Sequence, residues 1–310
     1  MTASSTRLRR LLAALALAIA AIAPPALASD DDHVLVLGRI SDDPNAHYRQ
    51  LKPLLDYVVP RMADVGIREG RILMARDRKQ MESYLRRGRV DWVTETAASA
   101  MQLHIGAGAE PLLLTERNGV SRYRTVFFAR RDSGIASLGD LRGRSIAFQN
   151  ASSTSAYYIP ALVLLEEGLP LEILLSPRDR PAEGSVGYLF ARSELNISTW
   201  VHKRLVDAGA MSNLDWESPQ RVPQPYRGDM MVFHETPDYP RALEVVRGDL
   251  PPAIKARLRE VLMEAAGDPD AREAMLRFFK TTRFLPLAPG DEHALDQIRT
   301  GVARVGSAIE

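Results

Sequence analysis

The sequence contains no cysteine, and this absence excludes three kinds of chemistry. No disulfide can form, no thiol can act as a nucleophile, and no lipid can be attached at an N-terminal lipobox cysteine. Histidine is also scarce, since the six histidines are scattered along the chain without the paired spacing typical of zinc sites. We therefore expect neither a metal site nor a cofactor.

Common catalytic and nucleotide-binding motifs are absent as well. The sequence has no Gly-x-Ser-x-Gly elbow, no His-Glu-x-x-His helix and no glycine-rich loop that ends in lysine. An enzyme would need a nucleophile beside a base, or two carboxylates with separated pKa values. Glu95 and Asp207 are the pair that keeps an enzymatic function open as the most remote alternative, and we expect the protein not to be an enzyme.

Positive and negative side chains are nearly balanced, and the formal net charge of the whole chain is +1. The first 28 residues carry three arginines and no carboxylate, so their removal changes the net charge to −2. A nearly neutral chain lacks the basic surface that nucleic acids require, and we expect no nucleic-acid partner.

The N-terminus has the pattern of a secretory signal peptide, residues 1–28. Three arginines precede an unbroken apolar stretch, residues 11–23, which is too short to span a bilayer comfortably. Small residues at Ala26 and Ala28 fit the usual cleavage rule. We expect cleavage after Ala28 and a periplasmic location; a membrane anchor is the alternative interpretation.

Strand-like and helical patterns alternate through most of the remaining chain, which is typical of α/β organisation. Apolar runs such as "RILMAR", "EPLLLTE", "YRTVFFAR", "SVGYLF" and "DMMVFHE" predict strands. The pattern predicts a first unit over residues 29–126, a second over 127–228 and a return to the first over 229–310. The last sixty residues are predicted to be mostly helical.

One stretch, "NASSTSAYYIP" over residues 150–160, places several hydroxyls where a strand ends and a helix begins. The first N–H groups of a helix lack backbone partners and carry partial positive charge, so the hydroxyls of Ser153, Thr154 and Ser155 would complete an anion cradle. The carboxyl edge of a strand is also where open α/β sheets bind ligands. The alternative is that one serine caps the helix and the others are solvated.

Residues 123–160 resemble the phosphate/phosphite/phosphonate-binding proteins of ABC transporters. The segments "LKPLLDYV", "RGRVDWV", "RLVDAGA" and "VVRGDLPPAIKARLREVL" stand in the order found in that family. The resemblance implies an α/β, two-lobed periplasmic binding protein fold of type II, with a ligand cleft between the lobes and two hinge crossings. Lobe 1 would then comprise residues 29–126 and 229–310, and lobe 2 residues 127–228.

The resemblance also implies the binding residues. An oxyanion would be held by Ser153, Thr154 and Ser155, with Tyr157 nearby. Asp207 would face the cationic end of an aminoalkylphosphonate; the alternative is that it is an ordinary surface carboxylate.

Further candidates for the cleft come from the strand that precedes "AASA". Glu95 and Thr94 stand where relatives have a Gly-Pro turn, and Glu95 would repel a bare dianion unless it accepts a proton or a ligand donor. Trp92 and Tyr123 are also candidates to line the cleft, although an aromatic residue beside a strand is more often core packing. Glu194 also departs from the family pattern, because it stands in a region where relatives carry Ser-His-Asp.

These observations predict a periplasmic solute-binding protein that delivers a small oxyanion to a membrane permease. The alternative partner is a histidine kinase for which the protein would sense a related ligand. Phosphonate, phosphite, phosphate, arsenic or selenium oxyanions and organic acids all remain open at this point. We expect a monomer, as is usual for the proteins that this sequence resembles.

Overall fold

The computed structural model describes residues 33–309. The predicted signal peptide and its cleavage site lie outside the described residues. The first part of lobe 1 alternates strands and helices as predicted, and its elements are β1 (Val34–Ile40), α1 (Pro44–Val58), β2 (Glu69–Ala75), α2 (Arg78–Arg86), β3 (Trp92–Thr96), α3 (Ala97–Ala107) and β4 (Glu110–Arg117).

The chain then crosses into lobe 2 through a short hinge strand, β5 (Arg122–Tyr123). The elements of lobe 2 are β6 (Thr125–Arg130), β7 (Ser145–Phe148), α4 (Ile159–Glu166), β8 (Leu171–Ile173), β9 (Val186–Phe190), α5 (Glu194–His202), β10 (Ala208–Ser212), α6 (Asn213–Glu217), α7 (Gln224–Asp229) and β11 (Met230–Glu235).

A second hinge strand, β12 (Tyr239–Pro240), returns the chain to lobe 1 and pairs antiparallel with β5. The remaining elements are β13 (Ala242–Val246), α8 (Pro252–Glu264), α9 (Arg272–Arg277), β14 (Thr281–Leu285) and α10 (Pro289–Ile309). Within residues 33–309, no helix combines the length and apolar character needed to cross a membrane.

Each lobe is built on a six-stranded mixed sheet. The order is β14-β4-β13-β3-β1-β2 in lobe 1 and β11-β6-β10-β7-β9-β8 in lobe 2. In lobe 1, β1, β2, β3 and β4 run in one direction while β13 and β14 oppose them. In lobe 2, β7, β8, β9 and β10 are parallel. The carboxyl ends of the parallel strands therefore lie along one edge of each sheet, which is the edge that binds ligands in such folds.

The structure places both crossings differently from the prediction. The first crossing is at β5, a few residues before the predicted boundary after residue 126. The second comes later than residue 229, because β11 pairs antiparallel with β6 and is an edge strand of lobe 2. An apolar run predicts a strand but carries no information about which sheet receives it. The mostly helical C-terminal region also contains an unpredicted strand, β14, which pairs with β4.

Helix α10 packs against both lobes. Its Leu295, Ile298 and Val302 lie in an apolar cluster that also contains Leu103 of α3 and the hinge tyrosines. One turn further on, Val305 belongs to the core of lobe 2. Leucine, isoleucine and valine recur along this helix at spacings of three and four residues, so a single apolar stripe can contact both cores.

Candidate functional site

The hydroxyl cluster, defined as Ser152, Ser153, Thr154 and Ser155, follows the carboxyl end of β7. Ser153 is the N-cap, and its hydroxyl accepts a hydrogen bond from the Ala156 N–H at 3.2 Å. A π-helical turn, Thr154–Tyr158, separates this cap from α4. Pro160 favours this separate first turn, because it has no N–H to donate to the carbonyl of residue 156.

Two members of the cluster are buried where the lobes meet. The Thr154 hydroxyl accepts from the N–H of Ala98, at the start of α3, and donates to the hydroxyl of Thr96, both at 3.0 Å. Only 2 % of Thr154 is exposed. The backbone carbonyl of Ser155 accepts from the Thr125 hydroxyl at 2.9 Å. The cluster thus faces the N-terminus of a lobe 1 helix across the interface.

Tyr123 adjoins the cluster from the hinge. Its side chain is buried against Tyr239, with 4.9 Å between ring centroids, and its hydroxyl is hydrogen-bonded to Ser155. Burial raises the pKa of Tyr123 to about 12, so the phenol stays protonated at neutral pH. Tyr157 lies elsewhere, in an aromatic group of the lobe 2 core, with its ring centroid 5.6 Å from that of Phe148.

Strand β3 presents its residues to opposite faces, and this alternation separates the predicted lobe 1 candidates. Trp92 and Thr94 point into the core, where both donate to the carboxylate of Glu244, at 2.6 and 2.9 Å. They are fully buried and form no part of the interface with lobe 2. Glu95 points to the other face. Relatives have a Gly-Pro turn at this position, but here pairing with β13 extends the strand through Thr96.

Glu95 has a counter-ion, which the sequence did not reveal. One guanidinium nitrogen of Arg39, near the end of β1, lies 3.5 Å from the Glu95 carboxylate. The same nitrogen donates to the backbone carbonyl of Thr94 at 2.6 Å. The other carboxylate oxygen accepts a long hydrogen bond, 3.3 Å, from the Thr96 N–H. The charge that was expected to repel an anion is therefore paired.

Asp207 is not brought together with the hydroxyl cluster. It precedes β10, at the amino end of the parallel strands, whereas the cluster follows their carboxyl end. Its carboxylate accepts from the backbone N–H and the hydroxyl of Ser145, both at 2.9 Å, and lies 3.4 Å from Arg144. The structure gives Asp207 a role in joining the starts of β7 and β10.

A different carboxylate pair, Glu194 and Asp215, lies on the same edge of lobe 2 as the hydroxyl cluster. Glu194 begins α5 after β9, and the amide of Gln149, next to β7, donates to it. Burial and the nearby charge of Asp215 raise the pKa of Glu194, although Arg221 lies 3.8 Å away. The sequence signal for Asp215 is the helix-capping pattern Ser212-x-x-Asp215 at the end of β10.

The arrangement can hold an anion by neutral donors and a cation by carboxylates. Hydroxyls and helix N–H groups suit an oxyanion, while Glu194 and Asp215 suit an ammonium or a hydrogen-bond donor. Among the residues that the structure describes, no group of three histidine, aspartate or glutamate side chains is placed to hold a metal ion.

Comparison with known proteins gives a consistent result over most of the chain. Residues 39–291 match the family described as "ABC transporter, phosphonate, periplasmic substrate-binding protein". The structure of XAC2383 from Xanthomonas citri with bound chloride is 54% identical, covers 89% of this chain and 100% of that one, and has a TM-score of 0.84. The same protein with bound ATP is 53% identical, with coverages of 90% and 100% and the same TM-score.

A more distant structure shares the fold alone. PhnD1 from Prochlorococcus marinus, solved with methylphosphonate, is 17% identical, covers 88% of this chain and 99% of that one, and has a TM-score of 0.61. The two-lobed, type II arrangement of this chain agrees with that structure.

Proposed function

Because the chain belongs to the family of periplasmic substrate-binding proteins of phosphonate ABC transporters, we propose that it captures a small phosphorus oxyanion between its lobes. The observation that carries this proposal is the hydroxyl cluster, which follows the carboxyl end of β7 and faces the N-terminus of α3. Its hydroxyls and backbone N–H groups can donate to several oxygens of one tetrahedral anion.

The ligand class that we favour is a phosphonate, phosphite or phosphate. An aminoalkylphosphonate is the member of this class that would use the whole lobe 2 edge. Its oxyanion would lie at the hydroxyl cluster and its ammonium at Glu194 and Asp215, which take the role that the sequence assigned to Asp207. Ser153, Thr154, Ser155 and Tyr123 remain our proposed ligand contacts on structural grounds.

The proposed partner is an ABC permease, to which a periplasmic monomer would deliver its ligand after cleavage behind Ala28. We propose that the protein binds its ligand without turnover. Delivery of a sensory signal to a histidine kinase is the alternative; a permease and ATPase encoded beside the protein would favour transport, and a kinase and response regulator would favour sensing.

A thermal-shift panel on the dialysed chain from Ser29 to Glu310 tests the ligand class. The panel holds phosphate, phosphite, methylphosphonate, aminoethylphosphonate, sulfate, arsenate, selenite, several carboxylates, chloride and ATP. ATP and chloride are included because XAC2383 has been solved with each. A ligand at about a hundred times its dissociation constant stabilises the folded state by roughly 2.7 kcal/mol.

Variants decide whether a responding ligand uses the proposed site. The double change Ser153→Ala, Thr154→Ala should abolish the shift, whereas Ser137→Ala, on the distant surface of lobe 2, should leave it unchanged. Glu194→Gln should weaken the binding of aminoethylphosphonate more than that of methylphosphonate, since only aminoethylphosphonate carries an ammonium group. A phosphorus oxyanion that binds equally well to the double variant would disprove the assignment, and so would a panel without any responder among these oxyanions.

A further inference from the structure

We propose that Arg39 supplies the positive charge on the lobe 1 side of the anion site, and that Glu95 is an internal carboxylate which the bound oxyanion replaces as the partner of Arg39. This inference rests on the proposed function and narrows it to doubly charged oxyanions.

The position of Arg39 places its charge at the ligand-binding edge. It is the penultimate residue of β1, whose carboxyl end lies beside the carboxyl end of β3. Its side chain is 14% exposed and that of Glu95 is 6% exposed. The ion pair at 3.5 Å is longer than a direct hydrogen bond, so this carboxylate holds the guanidinium loosely.

A short path of contacts connects Arg39 to the hydroxyl cluster. Glu95 is followed in β3 by Thr96, whose hydroxyl accepts from Thr154 of the cluster at 3.0 Å. The Arg39 guanidinium therefore lies against residues 94 and 95, next in sequence to the threonine that the cluster contacts from lobe 2. An oxyanion bound there would contact neutral donors on one side and a cation on the other.

The surroundings of Arg39 carry more unused donor capacity than a purely structural ion pair needs. The Nε atoms of both Arg39 and Arg117 are buried without a hydrogen-bond partner. Arg117 ends β4 at the same edge of the sheet, and both guanidinium groups lie over the ring of Phe279, at 5.0 and 4.5 Å from its centroid. Burial and repulsion by Arg39 lower the pKa of Arg117 to about 10, which leaves it charged at neutral pH.

The backbone that presents the shared ring is also unusual. Phe279 and Lys280 both have left-handed conformations, with φ of 53° and 57°. Such conformations cost free energy in residues other than glycine and concentrate at binding sites. The two guanidinium groups therefore lie over one ring, and the ring is presented by a strained backbone. The two positive charges repel each other, and an additional anion bound beside them would reduce this repulsion.

Charge neutralisation then selects the ligand. The hydroxyls and N–H groups of lobe 2 carry no formal charge, so a dianion bound to them alone would remain uncompensated. Arg39 provides one full positive charge, and the charge of Arg117, over the same ring, adds to the positive potential at this edge. When the oxyanion binds Arg39, Glu95 loses its partner. A ligand can replace Glu95 only if Arg39 attracts it more strongly than it attracts this carboxylate, which favours a doubly charged oxyanion over singly charged or neutral ligands.

Isothermal titration of the dialysed chain from Ser29 to Glu310 with inorganic phosphate and with methylphosphonate, at about pH 8 where phosphate-type groups are mostly dianionic, tests the proposal. Arg39→Met should weaken binding about tenfold or more, and Arg39→Lys, which keeps the charge, should lose less. Glu95→Gln should strengthen binding because it removes the competing carboxylate. Arg71→Met, which removes an arginine from a surface ion pair with Glu69 at 2.8 Å, is the matched control and should change nothing.

The outcomes separate this inference from the proposed function. If the Ser153→Ala, Thr154→Ala variant loses binding but Arg39→Met keeps it, the role of Arg39 is disproved and the proposed site stands. Weaker binding by Glu95→Gln would disprove the proposal that the ligand replaces Glu95 at Arg39, because Glu95 would then hold the ligand itself. If the unaltered chain binds neither probe, the proposed function fails and the role of Arg39 fails with it. Thermal unfolding of each variant shows whether it is folded, and the charge-retaining Arg39→Lys variant provides the comparison if Arg39→Met is not.

Discussion

Replacement of Thr154 by valine tests the contact between the two lobes with almost no change of side-chain shape. The threonine hydroxyl is buried and makes two hydrogen bonds to lobe 1, one to the hydroxyl of Thr96 and one from the N–H of Ala98. Valine fills the same volume but can neither accept nor donate. The variant therefore isolates the polar part of the interface.

The expected loss of stability follows from these two bonds. The lost bond to Thr96 costs about 0.5–1.5 kcal/mol, and the Ala98 N–H left buried without a partner costs about 1–3 kcal/mol. Together, these two losses should lower the free energy of unfolding of Thr154→Val by about 1.5–4.5 kcal/mol. Thr96→Val removes only the acceptor of one bond and should cost about 0.5–1.5 kcal/mol. Because the two residues are in contact, their effects should not be additive in the double variant.

Urea denaturation followed by circular dichroism, without ligand, measures these differences. Thr300→Val is the matched control, because Thr300 is exposed on α10 and bonds only to a carbonyl of its own helix at 3.0 Å. It should change the free energy of unfolding by less than about 0.5 kcal/mol. A Thr154→Val variant as stable as the control would refute the reasoning, since the hydroxyl would then be solvated and the lobes separated in solution.

Two further predictions concern the cores of the lobes. Burial raises the pKa of Glu244 despite its hydrogen bonds, so its stabilising contribution is complete below the ordinary value of 4.5 and is lost as pH rises through the folded value. The unfolding free energy of the natural chain minus that of Glu244→Gln should fall from about pH 4 to about pH 7; a constant difference in urea titrations at several pH values would contradict this. Gly209→Ala places a Cβ 2.6 Å from Ile197 and 2.7 Å from Phe128, and it should cost about 1–3 kcal/mol. In the control Gly184→Ala, the added Cβ has no neighbouring atom within 4 Å. Equal unfolding temperatures of the two variants would contradict the prediction, because the core would then accommodate the methyl group at residue 209.

The fold could largely be predicted from the sequence because its strands are short apolar runs separated by amphipathic helices. The runs now seen as β2, β4, β6, β9 and β11 were all recognised as strands. What could not be predicted was sheet membership, since the same apolar run can complete either sheet. The assignment of β11 to lobe 1 failed for this reason, and β14 was overlooked because its sequence, "TTRFL", has a single buried aromatic residue.

The candidate site was predictable only in part. The hydroxyl cluster was found because its chemistry and its place after a strand coincide in one continuous stretch. Arg39, by contrast, lies 56 positions from Glu95 and meets it only through the pairing of β1 with β3. Trp92 and Thr94 were placed at the cleft because alternation along β3 could not be assigned to a face before its neighbours were known.

The order of strands in lobe 1 also determines when that lobe can be completed during synthesis. Strand β13 lies between β3 and β4, so these two strands have no direct pairing until residues 242–246 become available. All six strands of the lobe 2 sheet precede β13 in the chain. A chain emerging from its N-terminus can therefore assemble lobe 2 first, while the lobe 1 segment made earliest waits for the part made last.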